Sequence, residues 1–490
     1  MAAQPQPATA VGSREELTAL DATFLELEQL DPAAHMHIGG VMTFEPLPEG
    51  GSPSVDEVRR LLGKRLAAMQ RYRQRLSAPT TGGLHWPSWE RDPAFDLEAH
   101  VREVRLPGSG GDDELREWAS DYYSNRLDRS RPLWELVVIS GLEGGRWALA
   151  SKTHHCMIDG VGSVDAALVM LDGERHPAQQ PDDEVAESFE EAPDATGATG
   201  LLDRIPGAPL LRLPLRTASA LIGAGRSGAS LATHPSQARD AARRSRALVE
   251  MLVRSELMAA PQTSLNVPIG GKRRLHTVEV PLRSLRDIKE RLGGTVNDVI
   301  LAVIASGLRE LLLARGDEIP ASGLRAMVPV NIRAAGDQLA IGNRITSLFV
   351  PIAVAEADVW QRYRRQMEDA EGLKSGDQGM GTSAVLDLTG HAPPILHGMI
   401  ARSLYATRLF NLTITNVPGP QQPLYSFGSK MLSVWPVVPL ASEHCLGIAI
   451  FSYDGSVFIT ANGDYDSTHD LGVLMDGIEA AIGELERLER

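Results

Sequence analysis

The stretch with residue types suited to chemistry is His154-His155-Cys156-Met157-Ile158-Asp159-Gly160. A neutral imidazole takes up a proton near neutral pH, so a positioned histidine is the usual general base. Two neighbours on an extended backbone point to opposite faces. One of the pair can therefore face a substrate while the other packs or holds the loop. Asp159 could orient an imidazole directly or pin the loop through an arginine elsewhere. Gly160 admits backbone angles that other residues resist. A bare His-His pair packs more often than it catalyses, so the pair alone settles nothing. The spacing is not that of a zinc helix, and Cys156 and Cys445 are the only cysteines, so neither a metal site nor a disulfide framework is implied.

The elements that must position this stretch are legible on both sides. Trp147 to Thr153 reads as a strand and Val161 to Leu171 as a helical run, which places the histidines on a strand-to-helix connection. Upstream, Arg131-Pro132-Leu133-Trp134-Glu135 leads into a strand, Leu136 to Ser140. A Gly-rich turn, Gly141 to Arg146, closes the hairpin. Pro132 and Trp134 read as packing residues in the loop framework. Leu17 to Leu25 suits a short amphipathic segment. His35 to Glu45 reads as a first strand, with His35 and His37 on one face and no catalytic role required of them. Val55 to Met69 and Asp113 to Asn125 have helical spacing.

At 490 residues the chain exceeds one ordinary domain, and its 43% hydrophobic share supports a sizeable core. The formal net charge of −15 argues against nucleic acid as the main partner. It also means that an anionic substrate would need a local basic patch. The division expected is a disordered tail over 1–13, an N-terminal lobe over 14–171, a linker over 172–260, and a C-terminal lobe over 261–490. The linker is acidic first (Pro181 to Asp194), then rich in arginine from Arg204 to Arg254. That second part suits either an interfacial segment on an anionic membrane or a helical connection with its arginines in water. Neither a signal peptide nor a spanning helix is read, so the expected location is the cytoplasm, with any membrane contact peripheral.

In the C-terminal half, Gly270-Gly271-Lys272-Arg273-Arg274 is a basic turn that could receive phosphates, without Walker spacing. Thr295-Val296-Asn297-Asp298 opens a long apolar helix. Thr295 or Asn297 can cap it, and Asp298 would complement the helix dipole. Leu412 to Thr415 leads into Asn416-Val417-Pro418-Gly419-Pro420, a turn set by Pro and Gly. Both halves mix strands and helices, which suits an α/β (α+β) protein of two lobes.

Taken together, LTALDATFLELE at 17–28, HMHIGG at 35–40, PLW at 132–134, HHCMIDG at 154–160, TVNDVILA at 295–302 and TNVPGP at 415–420 resemble the bacterial wax ester synthase/diacylglycerol acyltransferases, in particular the actinobacterial triacylglycerol synthases. These belong to the CoA-dependent acyltransferase superfamily. The resemblance implies two chloramphenicol-acetyltransferase-like lobes with the active site in a channel between them. It implies acyl-CoA as co-substrate, diacylglycerol or a long-chain alcohol as acceptor, and no cofactor. It implies His155 as the base, His154 and Asp159 in support of the catalytic loop, and Gly160 shaping it. Asn297 and Asp298 match a motif that helps define the site. Oxyanion donors are expected around Thr413, Thr415 and Asn416, and CoA phosphates at Lys272, Arg273 and Arg274. An acyltransferase acting on a polyketide or peptide thioester, and a non-catalytic lipid-binding protein, are the competing readings.

Overall fold

The computed structural model describes residues 15–17, 19–67, 69–78, 86–157, 167–176, 259–331, 345–375 and 409–488. The acidic and Arg-rich parts of the linker, Asp159, Gly160 and the run expected to be helical over 161–166 lie outside them. Two six-stranded sheets carry the molecule. The N-terminal one contains β2 (His37–Phe44), β5 (Val101–Arg105), β6 (Trp134–Ser140) and β7 (Trp147–His154). The other contains β8 (Arg273–Pro281), β9 (Leu324–Asn331), β10 (Ile345–Ile352), β11 (Leu412–Pro418), β14 (Leu446–Tyr453) and β15 (Ser456–Asp464), in the order β10-β9-β11-β14-β15-β8. A small third sheet joins β1 (Glu15–Glu16), β3 (Gln74–Leu76) and β4 (Ser88–Arg91). The mixed α/β class is as expected.

The two halves of the chain share a sheet. β12 (Tyr425–Ser426) and β13 (Ser429–Val437) leave the C-terminal half and complete the N-terminal sheet, whose order is β12-β13-β2-β7-β6-β5. β13 runs antiparallel to β2, with Trp435 opposite Val41 and Val437 opposite Gly39. The physical reason is the edge that β2 would otherwise expose beside β7. The pair of glycines in HIGG makes the fit possible. A Cβ on Gly39, whose φ is +155°, would lie 2.1 Å from the Ser151 carbonyl oxygen, and one on Gly40 would lie 2.9 Å from that of Trp435. Backbones therefore approach β2 from both sides.

The helices form where the pattern requires. α2 (Val55–Leu66) starts at a capping box, with Ser54 and Glu57 satisfying each other's backbone N–H, and it buries Val58, Leu62 and Leu66. α4 (Asp112–Ser124) buries Leu115, Tyr122 and Tyr123. α6 (Val296–Ala314) is buried continuously from Asp298 to Leu308, as the largely apolar run of its middle requires. It packs against α8 (Leu471–Arg487), where Gly307 and Gly477 face each other and a Cβ on Gly307 would meet the Leu474 carbonyl at 2.3 Å. α1 (Ala19–Leu30), α3 (Leu97–His100), α5 (Leu282–Leu292) and α7 (Val359–Ser375) complete the described helices.

The two halves meet along polar as well as apolar contacts. The edge strand β8 docks on α4 through Arg273 N–H to Ser124 Oγ at 2.7 Å and Leu275 N–H to Ser120 Oγ at 3.0 Å. Ser442 Oγ donates to Asp31 Oδ2 at 2.6 Å. Tyr453 on β14 accepts from Leu424 N–H at 2.8 Å and donates to the Met431 carbonyl at 3.1 Å, tying the crossing strands back to their own half.

Candidate active site

β7 is buried along its whole length and ends at His154. A single 3₁₀ turn, His155–Met157, follows at once. That break in the extended backbone directs the two imidazoles differently. His154 is fully buried, while His155 is half-buried. The register places His154 opposite His37 on β2.

Each histidine is held by helix α1. Phe24 and Glu28 are four residues apart, so they share one face of that helix. The Phe24 ring stacks on His155 with centroids 3.8 Å apart and planes 19° from parallel. Glu28 Oε2 lies 3.2 Å from His154 Nε2 and also accepts from Met36 N–H at 3.2 Å. Its other oxygen pairs with Arg126 at 2.7 Å. Cys156 N–H donates to His154 Nδ1 at 3.1 Å, which requires the proton of a neutral His154 to be on Nε2, facing the carboxylate. The turn is pinned at its start as well, by His155 N–H to the Met36 carbonyl at 2.8 Å. Met36 thus has both backbone groups engaged at this site.

The electrostatics follow from this packing. Burial pushes His155 down to about 4. Its Nδ1 is buried without a hydrogen-bond partner among the described residues. Burial also lowers His154, with Glu28 opposing. For Glu28, burial favours the neutral acid, but His154 and Arg126 outweigh it and hold the carboxyl well below the usual range. Cys156 is buried and its thiol is pushed well up by burial, so it offers no thiolate nucleophile.

The loop framework is where the hairpin reading put it. Pro132 is buried, and Trp134 is fully so, donating its indole N–H to the Tyr72 carbonyl at 2.9 Å. The Trp134 carbonyl receives His100 Nδ1 at 2.8 Å, and the His100 and Trp134 rings stack at 4.6 Å. The Leu133 carbonyl accepts from His154 N–H at 2.9 Å, which links the PLW stretch directly to the histidines.

From the C-terminal half, Thr295 caps α6 and Asp298 completes a capping box with it, which accounts for Asp298 as a helix-start residue. Asn297 is exposed, and its side-chain oxygen accepts from Asn416 Nδ2 at 3.0 Å. The fold therefore joins two motifs 119 residues apart in sequence. Thr415, next to Asn416 on β11, is half-buried. The basic turn divides. Arg273 is buried, and its guanidinium donates to the carbonyls of Gly270 and Lys272 in its own turn and of Ala33 across the seam, so it is committed to carbonyls rather than to a phosphate. The Gly270 amide is likewise taken by Asp464 at 2.7 Å. Arg274 lies 4.1 Å over the Tyr465 ring, and Lys272 is exposed.

Sequence reading missed Glu28, Phe24 and Arg126. Glu28 and Phe24 sit within the opening motif at helical spacing, which is the signal that could have found them. Arg126 had none.

A fold of two mixed sheets with a buried His-His turn at a strand end defines a class, the CoA-acyltransferase-like proteins. The first condensation domain of the calcium-dependent antibiotic synthetase shares that fold, at a TM-score of 0.57 and 18% identity over 97% of both chains. The wax ester synthase/diacylglycerol acyltransferase catalytic domain matches residues 17–300, and the corresponding C-terminal domain matches 341–486. The chain is 31% identical over 485 residues to the probable diacylglycerol O-acyltransferase tgs1 of Mycobacterium tuberculosis, covering 97% of this chain and 96% of that protein. It is also similar to the wax ester synthase/diacylglycerol acyltransferase of Marinobacter aquaeolei VT8, with a TM-score of 0.63 and 26% identity, covering 96% and 98% of the two chains. The chain belongs to the wax ester synthase/diacylglycerol acyltransferase family and is an acyltransferase.

Proposed function

We propose that this acyltransferase moves a long-chain acyl group from acyl-CoA to diacylglycerol, forming triacylglycerol, with His155 as the general base. The observation that carries the reading is the His155 ring itself. It is clamped against Phe24, neutral at physiological pH, and has Nδ1 buried. Nε2 is then the nitrogen that meets the acceptor hydroxyl. It takes that proton as the hydroxyl oxygen attacks the thioester carbonyl carbon. The tetrahedral intermediate collapses with loss of the C–S bond, and His155 returns the proton to the CoA sulfur. The negative charge on the carbonyl oxygen needs fixed donors. The Asn297–Asn416 pair with Thr415 is the group we assign to this, because both asparagines come from motifs and meet at one exposed place. Lys272 and Arg274 remain for the CoA phosphates. The names of the relatives support diacylglycerol as acceptor, and the family's name keeps long-chain alcohols as a second one.

No described helix is long and apolar enough to cross a membrane. We place the enzyme in the cytoplasm and peripheral to the membrane or to lipid droplets, where its acceptor resides.

The test is product formation from labelled palmitoyl-CoA with dioleoylglycerol or hexadecanol. Wild type is expected to make triacylglycerol, and His155→Ala to lose about two to four orders of magnitude in rate, as loss of a general base does. A dominant wax ester product would move the acceptor class. An active His155→Ala variant would overturn the base assignment.

A further inference from the structure

The opening helix does more than pack. Its Phe24 and Glu28 hold the two histidines one each, from one face. Three donors converge on the Glu28 carboxylate: His154 Nε2 and Met36 N–H on one oxygen, and Arg126 on the other. Its side chain is 1% exposed. A buried ion pair is a poor source of stability, and a well-packed apolar group of similar volume often does as well. Glu28 therefore has room for a role beyond stability.

The hydrogen-bond sequence supplies one. Cys156 N–H needs an acceptor at His154 Nδ1. A neutral imidazole offers that lone pair only when its proton is on Nε2. Glu28 is the acceptor that holds the proton there. In the other tautomer Nδ1–H would face the Cys156 N–H, donor to donor, and the turn starting at His155 would lose its inner hydrogen bond. We propose that Glu28 is a positioning residue for acyl transfer: it fixes the Nε2–H tautomer of His154, which in turn fixes the turn that aims His155. This rests on the reading of His155 as base. Phe24 completes the clamp by setting the plane of the His155 ring. The pattern Phe-x-x-x-Glu in the opening helix thereby acquires a mechanical role.

The test compares Glu28→Ala, Glu28→Gln and His155→Ala in full-length protein, with three readouts: kcat and KM for palmitoyl-CoA, the thermal midpoint, and the ¹⁵N imidazole spectrum of His154. Wild type is expected to show His154 as the Nε2–H tautomer. Glu28→Ala is expected to lose that signature and to lower kcat about ten- to a hundredfold, the range seen when the partner orienting a metal-ligating histidine is removed. KM should stay within about twofold, because the lost interaction orients the base and does not touch substrate. Glu28→Gln should fall between the two, since its amide oxygen still accepts from His154 while its NH₂ faces Arg126. It also carries the test should Glu28→Ala fail to fold. Wild-type kcat in Glu28→Gln and Glu28→Ala beside an inactive His155→Ala would overturn the proposal and leave the base standing. So would a lowered kcat with the His154 tautomer unchanged. An active His155→Ala would instead overturn the base.

Discussion

At the scale of residues, the site works by keeping an imidazole neutral. His155 is pushed down to about 4 by burial, so the free enzyme has its base in the competent form throughout the neutral range. The acid limb of kcat/KM should therefore lie near pH 4 and not near the ordinary imidazole value of about 6.5. A pH–rate profile of kcat/KM below pH 6 checks this, and a fall already half complete near pH 6.5 would contradict it. Replacing Asn297 or Asn416 by Ala should lower kcat by about 10²-fold with little change in KM if they are the oxyanion donors. An increase in KM alone would instead mark them as binding groups for a part of the substrate away from the reacting carbonyl. His154 and His155 were visible in the sequence as a pair, but their separate fates were not. Nothing in two identical letters says that one meets a carboxylate and the other a phenyl ring.

At the scale of elements, helix α6 shows how a motif can serve structure. Thr295 and Asp298 close a capping box on a helix whose middle, Asp298 to Leu308, is buried throughout. Thr295→Ala should cost about 1 kcal/mol through loss of the cap. Such a loss corresponds to a fall of about 2–4 °C in the melting midpoint of a domain of this size, measurable by calorimetry. Activity at 25 °C should persist, because Asn297 keeps its partner on β11. Cap chemistry and apolar periodicity place α6 closely, opening at Thr295 or Asn297 and running to Leu313, and the fold takes Thr295 as the cap. The opening helix was read shorter than it is, since its outer residues carry charge. The register of the β6–β7 hairpin, with Trp134 opposite Thr153, was not legible, because turn length alone does not set it.

For the molecule as a whole, the buried histidines set an acid limit on stability. His35, His37, His100, His154, His155, His276 and His444 are all lowered by burial, His35 and His155 to about 4. A group whose pKa falls on folding binds its proton more readily in the unfolded chain. The stability due to these groups is therefore fully present above about pH 6.5, the unfolded value, and is lost as pH falls towards 4. Glu28 acts in the same direction at lower pH, because its carboxyl is also depressed in the fold. Denaturant melts at pH 7, 5.5 and 4.5 should show the midpoint falling stepwise, and a midpoint independent of pH would contradict this. Arg273→Ala should also weaken the seam, since the Ala33 carbonyl across it would lose its donor.

The sequence by itself determined the class, the family resemblance, the strand that delivers the histidines and the long capped helix. These are local matters: periodicity, capping chemistry and motif order are written within a few turns of chain. Only the tertiary structure decided that β12 and β13 cross into the N-terminal sheet, that Arg273 faces carbonyls, that Asn297 meets Asn416, and that Glu28 and Arg126 stand behind His154. Each joins residues about a hundred to several hundred positions apart, except where β8 curls back on its own turn. Such contacts are chosen by which edges and buried polar groups find partners when the whole chain packs, and a buried donor without an acceptor is costly wherever it lies in the sequence.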